Sequence, residues 1–427
     1  GAPFARNNLI TGQSEIRSLW PEPMFGLNAS DLKYRFNWNT PIIVSPHDSK
    51  TIYTAGNVVF KSTDEGMSWE VISPDLTNDI QERQKISGTP WLSEYFGQEV
   101  YSTIHRIDES PLQKGLIWTG SDDGLIHFTK DGGANWENVS IPDAPEYSQI
   151  YEIEPSPHDP ATAYVAISNY NTDNDYSPYL YKTSDYGKSW TNLSAAFPQD
   201  QITRTVREDK VRQGMLFVGT ETGIYTSLDD GKSWTRMSIN LPAVSVVDIK
   251  IKDNDLVIAT NGRGLWIMDD ITPLRQQSAE ISAKSAHLYP VSDHTRFGYN
   301  WWIDYVPGGD PGDKKNYFVQ NMRPGLTYYE QGFTPVNGER KRKFIDAGDP
   351  KPLGVVIYFR LSKEPQKISL TILDANGNAV RNYTKDHMTL KFGDDGTLNG
   401  GMNKFVWDMR HNMVTPVPKR PPTAIRP

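Results

Sequence analysis

Four aspartates recur in one short pattern, Ser/Thr-x-Asp-x-Gly-x-Ser/Thr-Trp, of which the copy at 129–136 is the loosest. A carboxylate in such a turn could act as a catalytic acid or base, but a catalytic group is not needed once per repeat. The pattern instead favours a structural turn. The aspartate accepts backbone N–H bonds, the glycine adopts a backbone angle that other residues resist, and the tryptophan opens the next strand and packs between sheets. The pattern residues are Asp64, Gly66, Trp69, Asp131, Gly133, Trp136, Asp185, Gly187, Trp190, Asp229, Gly231 and Trp234.

The elements that hold these turns are predicted to be four-stranded antiparallel sheets, the blades of a β-propeller. A small twisted sheet cannot bury both faces alone, and stacking blades around an axis solves this problem. We predict five blades, A to E, over 35–73, 101–140, 150–194, 202–238 and 244–270. Blade E lacks the turn pattern, and His287 to Val291 could be its fourth strand. Residues 14–21 are predicted to be the outer strand of a blade whose earlier strands are missing, and 74–97 a functional or contact loop.

Candidates for ligand binding lie mainly at the ends of the predicted inner strands, where blades face the axial channel. A carbohydrate or peptide ligand would need polar groups there, with Trp and Tyr side chains nearby. Each polar candidate could instead be buried and satisfy backbone groups between blades, and the aromatic run 294–305 could pack between domains. The candidates are Asn37, Trp38, His105, Arg106, Arg204, Arg207, Arg263, Trp301 and Trp302.

The sequence contains no clear metal or cofactor motif. The 8 His are scattered, and neither a P-loop nor a dinucleotide-binding fingerprint is present. The stretches 121–124 (SDDG) and 171–175 (NTDND) could offer oxygen ligands to Ca²⁺, but neither has the spacing of a known loop. We therefore predict no cofactor, with Ca²⁺ as the alternative.

The composition is typical of an all-β protein that is rich in turns. The 427 residues include 11% aromatics, 33 Gly and 30 Pro. A net charge of −8 argues against a nucleic-acid partner, and no apolar run approaches the length of a membrane span. The absence of Cys excludes disulfides and thiolate metal sites.

Four regions follow from these patterns. We predict propeller blades over 1–291, an irregular aromatic connecting segment over 292–350, a small immunoglobulin-like β-sandwich over 351–412 and a Pro-rich linker over 413–427. Within the sandwich, alternating strands flank a hairpin around Asn376 and Gly377.

The chain resembles the large bacterial BNR-repeat proteins. The resemblance rests on YLYKTSDYGKSW (179–190), on VREDKVRQGMLFVGTETGIYTSLDDGKSW (206–234) and on LVIATNGRGLWIMDDITPLRQ (256–276), together with 34–48, and it covers about residues 14–415. These proteins are often labelled glycosyl hydrolase or exo-α-sialidase-like, and they are related to the ten-bladed sortilin (VPS10) propeller. The resemblance implies an exported protein, secreted, periplasmic or on the cell surface. It also implies further blades upstream, from the same precursor or a partner chain; alternatively, five blades could close alone.

Three functions remain open at this point. The leading hypothesis is a module that binds a protein, peptide or glycan and takes part in assembly. The alternative is a glycoside hydrolase that cleaves an extracellular polysaccharide with two carboxylates, and the third is a mainly structural subunit. A sialidase would need three arginines, a Tyr nucleophile with a Glu partner and an acid/base Asp. It also usually shows an Arg-Ile-Pro motif near its start, and this sequence contains none.

Overall fold

The computed structural model describes residues 3–20, 27–85, 88–89, 92–93, 100–237, 240–294, 317–323, 326–331, 341–344, 354–385, 398 and 400–411. It consists of two compact units, Gly1–Ile271 and Thr272–Pro427.

The first unit begins with a hairpin of β1 (Pro3–Asn7) and β2 (Ser14–Ser18) and continues as five antiparallel sheets in chain order, named A to E. Sheet A contains β3 (Ile42–Val44), β4 (Ile52–Ala55), β5 (Val59–Ser62) and β6 (Glu70–Val71). The short pair β7 (Gly88–Thr89) and β8 (Leu92–Ser93) follows. Sheet B contains β9 (Ile104–Glu109), β10 (Ile117–Ser121), β11 (Ile126–Thr129) and β12 (Glu137–Asn138).

Sheets C to E repeat this layout. Sheet C contains β13 (Gln149–Pro155), β14 (Ala163–Ser168), β15 (Tyr179–Thr183) and β16 (Thr191–Asn192), with the helix α1 (Tyr170–Asp173) between β14 and β15. Sheet D contains β17 (Thr203–Glu208), β18 (Leu216–Thr220), β19 (Gly223–Ser227) and β20 (Thr235–Arg236). Sheet E has three described strands, β21 (Val246–Lys252), β22 (Asp255–Thr260) and β23 (Leu265–Met268). Three 3-10 helices, Ala29–Asp31, Gln81–Gln84 and Ser194–Ala196, lie in the connections.

The cores of this unit lie between consecutive sheets. Val59 of sheet A is buried with Ile107 of sheet B, and Ile126 of sheet B is buried with Ile153 of sheet C. Leu180 of sheet C is buried in the same way with sheet D. Each sheet therefore covers an apolar face of the next, which is the arrangement of propeller blades. The prediction of an all-β fold is confirmed.

The four Asp-Gly turns have the same bonds in sheets A to D. In sheet C, Asp185 accepts hydrogen bonds from the Ser189 backbone N–H at 2.9 Å and from the Thr183 hydroxyl at 2.9 Å. The hydrogen bonds from Ser189 hold the pKa of Asp185 below its usual range. A carboxylate that is ionised and accepts these bonds serves the turn, because the turn's own donors already engage both of its oxygens.

The tryptophans of these turns join neighbouring sheets. The Trp136 indole N–H donates to the Ile72 carbonyl at 2.8 Å, and the Trp190 indole N–H donates to the Val139 carbonyl at 3.0 Å. Trp234 bonds to Leu193 in the same way at 3.4 Å. Each acceptor directly follows the fourth strand of the preceding sheet, so every turn docks on the outer end of the sheet before it.

The second unit begins with α2 (Thr272–Gln276) and α3 (Ala279–Ala283). Its strands are β24 (Ala286–Leu288), β25 (Tyr317–Arg323), β26 (Leu326–Gln331), β27 (Lys341–Phe344), β28 (Val355–Leu361), β29 (Ser369–Leu373), β30 (Ala379–Thr384) and β31 (Gly401–Trp407). The sheets are β24-β28-β31, β25-β26-β27 and β29-β30, all antiparallel. An apolar core joins β28 and β31 to β30 through Phe359, Phe405 and Tyr383.

Two predictions about this unit were wrong. His287 does not belong to a fourth strand of blade E, because β24 pairs with β28 and places His287 opposite Arg360. The segment 292–350 is not wholly irregular, because β25, β26 and β27 form a sheet within it. Its Val, Thr, Tyr and Phe residues favour strands, and this local preference prevails over the nearby Gly and Pro. Residues 295–316 and 412–427 lie outside the described residues.

We predict that Gly187→Ala destabilises the first unit by about 1–3 kcal/mol more than Gly262→Ala. Both glycines have positive φ, +80° and +98°, so an alanine would add similar backbone strain at either position. An added Cβ at 187 would lie 2.6 Å from the Val139 Cβ, whereas at 262 no atom lies within 4 Å. Urea unfolding followed by tryptophan fluorescence measures the difference, and equal losses would contradict the docking role of the turn.

Candidate functional site

The first strands of sheets B to E each carry a β-bulge close to their beginning. The register with the second strand skips one residue at His105, Tyr151, Arg204 and Val247. A bulge leaves its extra residue unpaired and redirects the side chain. Four consecutive sheets therefore present one redirected side chain each at the same end of the inner strands.

Three of these side chains touch one another and are named the bulge row: His105, Tyr151 and Arg204. The rings of His105 and Tyr151 meet edge to face with centroids 5.8 Å apart. The Arg204 guanidinium lies 4.5 Å from the centroid of the Tyr151 ring and forms an ion pair with Glu221. The row thus crosses sheets B, C and D through an imidazole, a phenol and a guanidinium.

Neighbouring groups fix the orientation of the row. His105 Nδ1 donates to the Ile150 carbonyl at 3.0 Å, and Arg106 Nε donates to the Tyr151 carbonyl. Burial lowers the pKa of His105 to about 4, so its imidazole is neutral at neutral pH. Its Nε2 is buried and has no hydrogen-bond partner among the described residues.

Aromatic side chains continue this end of the unit toward sheet A. The Arg83 guanidinium lies 4.6 Å from the centroid of the Tyr147 ring and donates to the Tyr101 hydroxyl at 3.1 Å. Asn37 donates to the Val100 carbonyl at 2.9 Å, and the adjacent Trp38 is 63% exposed. Tyr147 has a φ of +58°, a strained angle for a side chain of this size. Trp38, Tyr101 and Tyr147 therefore border the segments from which the inner strands of sheets A, B and C begin.

The opposite end of the inner strands encloses a cavity of about 330 Å³. Arg207 from β17 lies at its wall and pairs with Glu152 at 2.8 Å, Glu154 at 3.2 Å and Asp248 at 2.8 Å. Asp108 and Glu154 also line the cavity, together with lysines and prolines from several sheets. Two inner strands, β13 and β21, thus supply the three carboxyl groups that surround one buried guanidinium.

The carboxyl groups of this cavity differ in their proton affinity. Burial raises the pKa of Asp108 to about 6 and that of Glu154 to about 8, although Arg207 opposes both shifts. Burial also opposes the ionisation of Glu152, but the Arg207 and Arg106 guanidinium groups outweigh it and hold its pKa below the usual range. At neutral pH the cavity therefore holds a protonated Glu154 beside an ionised Glu152.

Two buried tyrosines stand beside carboxylates. Tyr164 donates to Asp230 at 2.8 Å, and burial together with Glu208 raises its pKa. Burial and Glu109 raise the pKa of Tyr53 in sheet A in the same way. Both phenols are therefore protonated at neutral pH.

The structure separates the predicted ligand-binding residues into groups. Asn37, Trp38, His105, Arg106 and Arg204 lie at the end that carries the bulge row, and Arg207 lies at the cavity. Arg263 is exposed in the β22–β23 turn, where its guanidinium donates to the Gly262 carbonyl at 2.9 Å. Trp301 and Trp302 lie outside the described residues.

Sequence reasoning missed several residues of both ends. Tyr151, the cavity residues Asp108 and Glu154, and the Arg207 partners Glu152 and Asp248 were not singled out. Charged residues within the apolar stretches QIYEIEP (149–155) and VVDIKIK (246–252) were the available signal, because a charge inside an inner strand requires partners across the axis. Arg83, Tyr101 and Tyr147 lie in or beside connecting loops and gave no comparable signal.

The structure also bears on metals and membranes. Among the residues described, no group of three or more His, Cys, Asp or Glu is placed to hold a metal ion. Asp122 of the SDDG stretch instead accepts bonds from the Thr103 backbone at 2.8 Å and hydroxyl at 2.7 Å. Within the described ranges, no helix has both the length and the apolar character needed for a membrane crossing.

Comparisons with known proteins show distant likenesses only. No family model and no curated protein matches the chain. Among solved structures, an ancestral GH74 enzyme is 13% identical with a TM-score of 0.40; the match covers 82% of this chain and 38% of that protein. YCF48 bound to D1 peptide is 17% identical with a TM-score of 0.38, over 66% and 77% of the two chains. A Niastella koreensis GH74 enzyme is 14% identical with a TM-score of 0.42, over 76% and 53%. At these scores the likenesses identify neither a family nor a function.

We predict that Glu154→Gln flattens the pH dependence of stability. Burial raises the pKa of Glu154 from 4.5 to about 8, so the folded protein holds a proton that the unfolded chain releases. The contribution of Glu154 to the free energy of unfolding is therefore full below pH 4.5 and is lost as the pH rises toward about 8. Urea unfolding across this range should show a smaller decline in the variant. Glu137→Gln, on the exposed strand β12, is the control, and an unchanged slope in Glu154→Gln would refute the assignment.

Proposed function

We propose that this chain is the ligand-binding part of an exported β-propeller, and that it binds an extended peptide or glycan along the bulge row. The observation that carries the proposal is the contact of His105, Tyr151 and Arg204 across three consecutive sheets. Bulges at equivalent positions redirect these side chains out of the strand pairing, which is typical of binding and active sites.

The chemistry of the row suits an uncharged, extended ligand. A phenol ring offers a face for sugar rings or apolar side chains, and a guanidinium offers a planar set of donors to hydroxyl or carbonyl oxygens. Arg204 is already neutralised by Glu221, so the row carries little net charge. The exposed Trp38 and the Tyr101–Tyr147 pair could extend the same surface toward sheet A.

A glycoside hydrolase is the second candidate, and the cavity at the other end of the inner strands favours it. Asp108 and Glu154 provide two carboxyl groups of different proton affinity in one cavity. This difference suits an acid that donates a proton and a base that accepts one. In this hypothesis Glu154 is the acid and Asp108 is the base or nucleophile.

Three architectural features belong to the same proposal. The hairpin β1–β2 is the outer half of a blade whose inner strands come from upstream blades of the same precursor or from a partner chain. Phe4 on β1 lies 5.9 Å from the Trp69 ring of sheet A, as expected for a preceding blade. The second unit contains an immunoglobulin-like sandwich, and the protein acts outside the cytoplasm.

We predict that Arg204→Gln weakens ligand binding about tenfold, because a stacked guanidinium at a well-packed contact contributes at least about 1.4 kcal/mol. Glycan and peptide arrays identify ligands of the intact chain, and titration calorimetry measures the variants. Arg236→Gln is the matched control. Like Arg204, Arg236 belongs to sheet D, but it lies outside the bulge row and donates to the Thr222 carbonyl. Equal affinities of the two variants would show that the ligand binds elsewhere.

If the cavity is a hydrolase site, the intact chain should release reducing ends from an extracellular polysaccharide. Asp108→Asn and Glu154→Gln should then each lower the rate about 10²-fold or more, since each removes an acid–base group. Asp200→Asn, at an exposed position, should leave the rate unchanged. No release from a polysaccharide panel, or equal rates in all three variants, would exclude this second candidate.

A further inference from the structure

The outward face of sheet E lacks the cover that the other sheets receive. One register position of the third strand is buried in sheets A to D, with 0 to 1% exposure for Val59, Ile126, Leu180 and Ile224. Leu265 occupies the same register position in sheet E, because it pairs with Ala259 in the way that Val59 pairs with Ala55 in sheet A. The Leu265 side chain is nevertheless 75% exposed. Ile267 lies on the same face two residues further and is also exposed. An apolar face of the kind that elsewhere contacts the next sheet is therefore open to solvent.

The inner strand of sheet A shows the complementary exposure. Ile107, Ile153, Val206 and Ile249 hold one register position in the first strands of sheets B to E and are 0 to 4% exposed against the preceding sheet. Ile42 holds this position in sheet A, opposite Thr54, and it is 51% exposed. The chain thus carries one free copy of each half of the contact that Val59 and Ile107 make between sheets A and B.

The outer strands of the two ends are complementary as well. Sheet E has no described strand beyond β23, whereas the other four sheets have an outer fourth strand. The hairpin β1–β2 lies against the turn of sheet A, where the outer strands of a preceding blade belong. An added Cβ at Gly66 would lie 3.7 Å from the Arg17 Cβ, just as Gly133, Gly187 and Gly231 face the preceding sheet. The hairpin pairs with no inner strand among the described residues. Sheet E and the hairpin therefore each supply what the other lacks.

Resting on the proposed propeller, we propose that the missing half-blade comes from a second copy of this chain. Sheet E of one copy docks on sheet A of the other, with Leu265 and Ile267 against Ile42. In this pairing β2 takes the place of a fourth strand of sheet E, and β1 lies outside it. The contact is heterologous, so two copies can close a ring if the arc of five sheets allows it. It reuses a contact already present four times within the chain, which supplies the shape complementarity that a new interface would need.

Single cysteines test this pairing, because the chain contains no native Cys. A Leu265→Cys chain and an Ile42→Cys chain, differing in tag length, are mixed and oxidised at low concentration. We expect a disulfide between the two different chains, in a yield well above that of the control mixture of Val211→Cys and Ile42→Cys chains. Val211 is the control because it is 68% exposed in the connection between β17 and β18. Light scattering should give a multiple of 48.3 kDa for the unmodified chain and a single chain for the Leu265→Lys, Ile267→Lys double variant.

Three results would overturn the proposal. A single chain at every concentration, without a cross-link above the control, would show that the two faces do not meet. A cross-link inside one chain of the Leu265→Cys, Ile42→Cys double variant, at the mass of a single chain, would show that the five sheets close on themselves. A dominant disulfide between two Leu265→Cys chains would indicate a dimer in which the two sheets E face each other. The ligand affinity of Arg204→Gln is measured separately, so failure of the pairing and failure of the proposed function remain distinguishable.

Discussion

Every sheet of the first unit depends on burial of apolar surface against a neighbouring sheet. A four-stranded sheet of short strands is too small to form a core by itself, and its stability comes mainly from neighbour contacts. Val59, Ile126 and Leu180 are buried only because another sheet follows each of them. The Asp-Gly turns of sheets B to D reinforce the same contacts, since the tryptophan of each of these three turns bonds to the carbonyl that ends the preceding sheet.

Stacking of this kind brings the inner strands together and creates the two ends of the candidate site. At one end, bulges break the regular alternation and direct His105, Tyr151 and Arg204 into mutual contact. The strain is local and is tolerated because the apolar faces of the same strands are fixed by their neighbours. In our proposal the binding surface is therefore built from rigid strands, with the connecting loops adding Trp38 and Tyr147 at its edge.

At the other end, the inner strands enclose a buried charge network. Moving Arg207 out of water is costly, and the three carboxyl groups around it offset that cost through charge and hydrogen bonds. The balance leaves Glu154 protonated and Glu152 ionised, a difference that arises from their distances to Arg207 and Arg106 and from the shared burial. An apolar filling would have served stability equally well, so the retained charges are the reason to consider chemistry at this cavity.

The sequence by itself determined the all-β class, the Asp-Gly turns and the order of the sheets, because these depend on local chemistry that repeats along the chain. It also marked His105, Arg106 and Arg204 as inner-strand residues. Only the tertiary structure decided which of them meet, since the bulges arise from the register with a second strand and not from the residues that bulge. The partners of Arg207 come from β13 and β21, more than 40 residues away on either side, and no local pattern links them. Likewise, β24 pairs with β28 and not with sheet E, because alternation specifies a strand but the apolar surface available in the folded chain selects its partner.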